Sequence, residues 1–176
     1  EMFRRYPHSV ALLPAVFMGQ FPDEISVSKV YATLRELGFA HVMEVESAAA
    51  IYRDVKEKYA REHPDIRPLI SSFCPAIVRL IQIKYPSLTE NIMPIKVPLD
   101  LCAMYALEEL LSRGIPREEI GLFYITPCAA KVSAVKAPVG EEKSLIDGVI
   151  NMNLLYNRVY KHIKDMGKNH QYPPLS

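Results

Sequence analysis

The chain has 176 residues, 49% of them apolar and 23% charged, with a formal net charge of +1. That is the length and balance of one ordinary globular domain with a core of its own. A charge so near zero excludes a general electrostatic attraction to nucleic acid or to an anionic membrane, and no apolar run approaches the length of a bilayer span. Three cysteines, an odd and widely spaced set, argue against a disulfide framework and for free thiols or a metal site in a reducing cytoplasm. No apolar h-region follows Glu1-Met2-Phe3-Arg4-Arg5, so no secretory signal is expected.

The apolar run 10–13, stopped by Pro14, predicts a buried strand. Val27, Val30, Tyr31, Leu34 and Leu37 share one helical face, which predicts a helix over 27–37 with Ser26 as its cap and Gly38 as its stop. A second strand is expected at 41–45. Ser47 then caps a helix to about Glu62, closed by Pro64, with Arg53, Lys56, Glu57, Lys58 and Arg61 on a solvated face. Residues 69–73 read as a third strand, with Cys74 directly after it. Pro75 suits the first position of the next helix, where its missing N–H costs nothing, and Tyr85-Pro86 ends that helix.

A loop over 87–96 leads to Pro98 and a helix over 99–113, stopped by Gly114. A fourth strand covers 120–125 and ends at Thr126-Pro127-Cys128. A lysine-bearing segment rich in Ala, Val and Pro follows, then a fifth strand over 144–151. Asn153 caps a last helix over 154–166, ended by Gly167, and 168–176 is expected to be a tail or linker after a domain covering 1–167. Strand and helix alternate throughout, which predicts an α/β fold: a parallel sheet flanked by helices on both faces. No glycine-rich phosphate loop is present.

The chemistry concentrates at two cysteines. Carboxyl ends of parallel strands line the ligand crevice of such folds, and Cys74 and Cys128 both sit at expected strand ends. A sulfur at a helix N-terminus faces the positive end of the macrodipole, a setting that suits a thiolate ligand or nucleophile. By residue type alone a lone cysteine is more often a small buried hydrophobe, and both readings stand for Cys74 and Cys128. Cys102 lies among core-like neighbours inside a helix and reads as packing. The five histidines show no metal-binding spacing.

Ser71-Ser72-Phe73-Cys74-Pro75-Ala76, closed by Tyr85-Pro86, resembles the first cluster motif of the iron-only hydrogenases, Thr-Ser-Cys-Cys-Pro-Gly/Ala. Thr126-Pro127-Cys128-Ala129-Ala130-Lys131 resembles the second, Met-Pro-Cys-x-x-Lys. Lesser matches keep the family's order: Leu13-Pro14-Ala15-Val16, Leu37-Gly38-Phe39, Val97-Pro98 and Ile146-Asp147-Gly148-Val149-Ile150. Together they cover the chain from about residue 9 to residue 166. The resemblance implies the first portion of the iron-only hydrogenase catalytic domain, which holds an H-cluster: a 4Fe–4S cubane joined to a diiron unit bearing carbon monoxide and cyanide. It implies Cys74 and Cys128 as cubane ligands, Lys131 as hydrogen-bond donor to a cyanide, and Pro14 in the pocket wall. The implied reaction is reversible reduction of protons to hydrogen, with electrons from ferredoxin-like donors or iron–sulfur domains of the same chain.

The motifs depart from the family in a consistent direction. Its remaining two cysteines belong to a third motif beyond this chain, so a missing second lobe is expected, and no complete cluster in the fragment itself, because a cubane usually takes four thiolates. The proton-relaying cysteine is replaced by Phe73, whose ring carries no proton. Asn91-Ile92-Met93-Pro94 offers no relay serine, Tyr52-Arg53-Asp54-Val55 no paired glutamates, and Thr126 replaces the motif's methionine. Kept ligand positions with a lost proton path fit a divergent, sensory member. A non-catalytic cluster-assembly or regulatory relative, and a plain doubly wound binding domain with structural cysteines, are the alternatives.

Overall fold

The computed structural model describes residues 2–138 and 143–167; the expected tail at 168–176 lies outside the described residues. Its centre is a parallel sheet of β1 (His8–Leu13), β2 (His41–Glu44), β3 (Ile120–Thr126) and β4 (Gly148–Asn151), in the order β2-β1-β3-β4. Seven α-helices accompany it among the described residues: α1 (Ala15–Met18), α2 (Val27–Glu36), α3 (Ala49–Glu62), α4 (Pro75–Lys84), α5 (Pro98–Ser112), α6 (Ala129–Lys136) and α7 (Met152–Met166).

The two inner strands read as continuous apolar runs because both of their faces are covered. Alternate side chains go to opposite layers. Ala11, Leu13, Phe123 and Ile125 pack with Val30 and Leu34 of α2 and with Leu155, Val159 and Ile163 of α7. Val10, Leu12, Ile120, Leu122 and Tyr124 pack with Cys102, Ala103, Ala106 and Leu110 of α5. The expected sheet with helices on both faces is therefore the observed architecture.

Local signals hold at several ends. Ser26 Oγ accepts the Lys29 N–H at 3.3 Å, and Gly38 takes φ 113°, a left-handed conformation that glycine adopts without steric cost. Pro75 and Pro98 each open a helix.

The expected strand over 69–73 is not part of the sheet. Ile70 makes a single parallel bridge to Ile92, its N–H donating to Asn91 O and its carbonyl accepting from Met93 N–H, each at 2.9 Å. Strand membership needs a run of partners; among the described residues this segment has the single bridge to Ile92, and Ser71 and Phe73 are exposed. Ser47 does not cap α3: its hydroxyl donates to Glu44 O at 2.6 Å and closes a 3₁₀ turn, so the helix starts at Ala49. Asn151, not Asn153, caps α7, its Oδ1 accepting the N–H groups of Asn153 and Leu154 at 3.0 and 3.2 Å. The last strand begins at Gly148 rather than at 144, because the Asp147 carboxylate takes the Leu122 N–H that a longer strand would have paired. Helices α1 and α6, and a 3₁₀ turn over Pro86–Asn91 in the expected loop, had no counterpart in the sequence reading.

Candidate functional site

The parallel strands all point their carboxyl ends to one edge of the sheet, and the site residues collect there. Pro14 leaves β1 and is buried; its carbonyl accepts the Phe17 N–H at 2.9 Å, starting α1. The next N–H, of Ala15, donates to Glu46 Oε2 at 2.8 Å, which ties this turn to the segment after β2. β3 lies beside β1 in register Leu12 with Tyr124, so its exit through Thr126-Pro127-Cys128 neighbours Pro14.

Cys74 and Cys128 occupy equivalent local positions. Each is the residue before a helix, α4 and α6 respectively, with extended backbone (φ −103°, ψ 106° and φ −90°, ψ 113°) and no side-chain capping bond. Both sulfurs are therefore left available at helix N-termini. Both thiols are free, Cys74 exposed and Cys128 half-buried. The Cys128 turn is held by its own N–H donating to Thr126 Oγ1 at 3.2 Å. The Cys74 turn is held by Phe73 N–H donating to Ser71 Oγ at 3.2 Å and by Ser72 Oγ donating to Ile95 O at 3.1 Å.

Helices α4 and α6 pack together, and one side chain joins the two cysteine turns. Lys131 Nζ lies 4.8 Å from the Phe73 ring centroid and donates to Tyr124 Oη at 3.2 Å. The residue next to Cys74 thus touches the residue one helical turn beyond Cys128. Pro14 and Cys128 share the carboxyl edge by strand adjacency, and the turn that carries Cys74 meets Lys131 through Phe73. It does so although Cys74 follows no sheet strand; α4 is held there by its contact with α6.

Cys102 is elsewhere, 1% exposed in the α5 layer, with Sγ 3.6 Å from Glu44 O. Burial pushes its thiol above the usual range, as for a packing residue rather than a ligand. His8 and His41 face each other across the opposite end of the sheet, Nδ1 to Nε2 3.4 Å apart, away from the cysteines. His162 contacts Glu36 at 2.7 Å between α7 and α2. Among the described residues no group of three or more His, Cys, Asp or Glu could hold a metal ion. Two free thiols at helix N-termini are donors of the kind that thiolate-bound clusters draw on.

Three contributors were not singled out in the sequence: Tyr124, which receives the lysine, Tyr52, whose ring stands 6.4 Å from that of Phe73, and Glu46. The available signal for Tyr124 was a hydroxyl in an otherwise apolar central strand, and for Tyr52 its place in the segment where the resemblance puts paired glutamates; Glu46 carried none, since it reaches the site only by folding.

The parallel sheet and the helices on both of its faces define a member of the α/β class. The family model "Iron only hydrogenase large subunit, C-terminal domain" matches residues 8–166, and the chain belongs to that family. The NADP-reducing hydrogenase subunit HndD of Solidesulfovibrio fructosivorans is 28% identical over 126 residues, covering 65% of this chain and 21% of that protein. Iron hydrogenase 1 of Clostridium pasteurianum is 27% identical over 141 residues, covering 78% of this chain and 24% of that protein. In fold, the chain matches the apo FeFe-hydrogenase HydA1 of Chlamydomonas reinhardtii with a TM-score of 0.69 at 21% identity, over 88% of this chain and 43% of that one. A HydA structure describing stepwise H-cluster assembly gives a TM-score of 0.69 at 20% identity, over 88% and 42%. The chain thus spans about a quarter or less of the length of these curated relatives and under half of the solved ones.

Proposed function

We propose that this chain supplies half of the thiolate set of an H-cluster in a hydrogenase-type protein, with Cys74 and Cys128 as cubane ligands. The observation that carries this is the pair of free, uncapped helix-terminal thiols at one sheet edge with an ammonium between them. The bound group supplies the redox chemistry of reversible proton reduction. The chain's part is to hold and orient. The N-termini of α4 and α6 present N–H groups and positive dipole ends toward anionic sulfur. Lys131 offers a cationic hydrogen-bond donor for an anionic ligand such as cyanide, and buried Pro14 closes the wall beside it.

The remaining ligands come from a second lobe of the same domain. The apolar face of α4, where Ile77, Leu80, Ile83 and Tyr85 are all at least 45% exposed, supports such a lobe. Ferredoxin-like donors or iron–sulfur domains of the same chain deliver electrons. Three free thiols suit a reducing compartment such as the cytoplasm.

Phe73, in the relay position, favours a hydrogen- or redox-sensing role over rapid turnover, because no group there can pass a proton. Anaerobic reconstitution of the longer protein tests this. The expected result is cubane absorption with carbonyl and cyanide infrared bands and slow hydrogen–dye turnover. A cubane without those bands points instead to assembly or regulation, and no cluster at all refutes the proposal.

A further inference from the structure

We propose that Phe73 is a positioning residue for Lys131: its ring face holds the lysine ammonium in place, a cation–π clamp standing where a relay group is absent. The inference rests on the cluster reading for its purpose, but its geometry is independent of any bound group. Lys131 Nζ sits 4.8 Å from the Phe73 centroid, inside the reach of a cation–π contact, and its other hold is Tyr124, by a 3.2 Å hydrogen bond with the ring 5.7 Å away.

Phe73 is itself braced. The Tyr52 ring of α3 lies 6.4 Å from it at 53°, and Tyr52 Oη shares a 2.9 Å hydrogen bond with Ser71 Oγ. The same Ser71 oxygen accepts the Phe73 N–H. An apolar ring 47% exposed to solvent contributes little as core. What it does contact, among the described residues, is the Lys131 ammonium and a tyrosine that backs it. Four elements thereby converge on Lys131: α3 through Tyr52, the Cys74 turn through Phe73, β3 through Tyr124, and α6, which carries the lysine.

A long, rotamer-rich side chain held on two sides loses less freedom when it meets an anionic ligand. The clamp therefore orients the Nζ donor before anything binds. A cysteine at position 73 would offer a proton carrier but no ring for the ammonium.

The test uses reductive ¹³C-methylation of the protein's lysines, with the Lys131 resonance assigned by Lys131→Arg. An amine over a ring face has its methyl protons shifted upfield. The expected result is a shifted Lys131 signal in wild type and in Phe73→Tyr, and loss of that shift in Phe73→Leu, which keeps apolar bulk without a π face. Far-UV circular dichroism confirms that the variants fold. A Lys131 signal at the free-lysine position in wild type, or one unmoved by Phe73→Leu, overturns the clamp. In reconstituted protein, the cyanide infrared bands should move or broaden in Phe73→Leu and not in Phe73→Tyr; superimposable bands in all three overturn the positioning role. If wild type takes up no cluster, the functional reading fails while the resonance result still decides the clamp.

Discussion

The Asp147 carboxylate is the point where the start of β4 is locked to β3, and its removal gives a prediction whose size follows from the structure. Oδ2 accepts the Leu122 N–H at 2.9 Å, and the Asp147 N–H donates to Leu122 O at 2.9 Å, so the side chain extends the strand ladder one step before Gly148. Arg117 donates to both carboxylate oxygens, at 3.1 and 3.2 Å, and to Ile120 O at 2.6 Å. Leu122 is fully buried, so in Asp147→Ala its N–H is left without a partner or water, at about 1–3 kcal/mol. The Arg117 pair adds at most about 1 kcal/mol, because that side chain is 39% exposed and solvent screens it. The sum is about 1–4 kcal/mol. Asp147→Asn keeps an acceptor for the Leu122 N–H and should lose about 1 kcal/mol, and Arg117→Ala about the same. Urea unfolding followed by circular dichroism measures all three, as shifts in midpoint at constant slope. Equal losses in Asp147→Ala and Arg117→Ala, or a loss below about 1 kcal/mol in Asp147→Ala, would show that the buried N–H is not what the carboxylate serves.

Gly121 faces a second constraint on the same strand. A Cβ there would come within 2.6 Å of the Tyr6 ring and 2.7 Å of Phe123, so Gly121→Ala should destabilise by about 1–3 kcal/mol in the same urea assay. His41 makes stability depend on acidity. Burial first, then the neighbouring His8, Arg113 and Arg35, hold its pKa below the ordinary 6.5, against a weaker opposing pull from Glu109. The unfolded chain therefore binds its proton first, so stability is full above pH 6.5 and falls as the pH drops from there toward the folded value, by at most about 1.4 kcal/mol per pH unit. His41→Gln should flatten that segment of a stability–pH curve; an unchanged slope would assign it to other groups. In the longer protein, Cys74→Ala and Cys128→Ala should each abolish cubane absorption and iron retention after reconstitution, and a retained cubane in either would remove that residue from the ligand set. Phe73→Cys should raise proton-dependent hydrogen turnover if the missing carrier limits it; an equal or lower rate would place the limit elsewhere.

Much of this protein was legible in the chain because the deciding interactions are local. The apolar runs of β1 and β3, Ser26 before α2, Pro75 and Pro98 at helix starts, and the glycines at 38 and 114 each act on neighbouring backbone. So did the cysteine motifs, whose meaning lies in residue type and spacing. Residues 69–73 show where local reading stops: they are as apolar as an edge strand, but strand membership is decided by partners distant in sequence, and among the described residues Ile92 alone pairs with them. Ser47 and Asn153 had the right side chains for caps, yet hydrogen-bond competition gave the Ser47 hydroxyl to Glu44 and the α7 cap to Asn151.

The site itself divides the same way. Cys74, Cys128, Lys131 and Pro14 were named from the chain, while their meeting at one edge depends on β3 lying beside β1 and on α4 packing against α6, contacts between segments far apart in sequence. The setting of Lys131 was decided wholly by tertiary structure. Nothing in the order of residues places a ring at 73, a hydroxyl at 124 and an ammonium at 131 around one point; the packing of α4 against α6 does so. Residue type set which chemistry the edge could support, and packing over long sequence distances set which groups hold one another there.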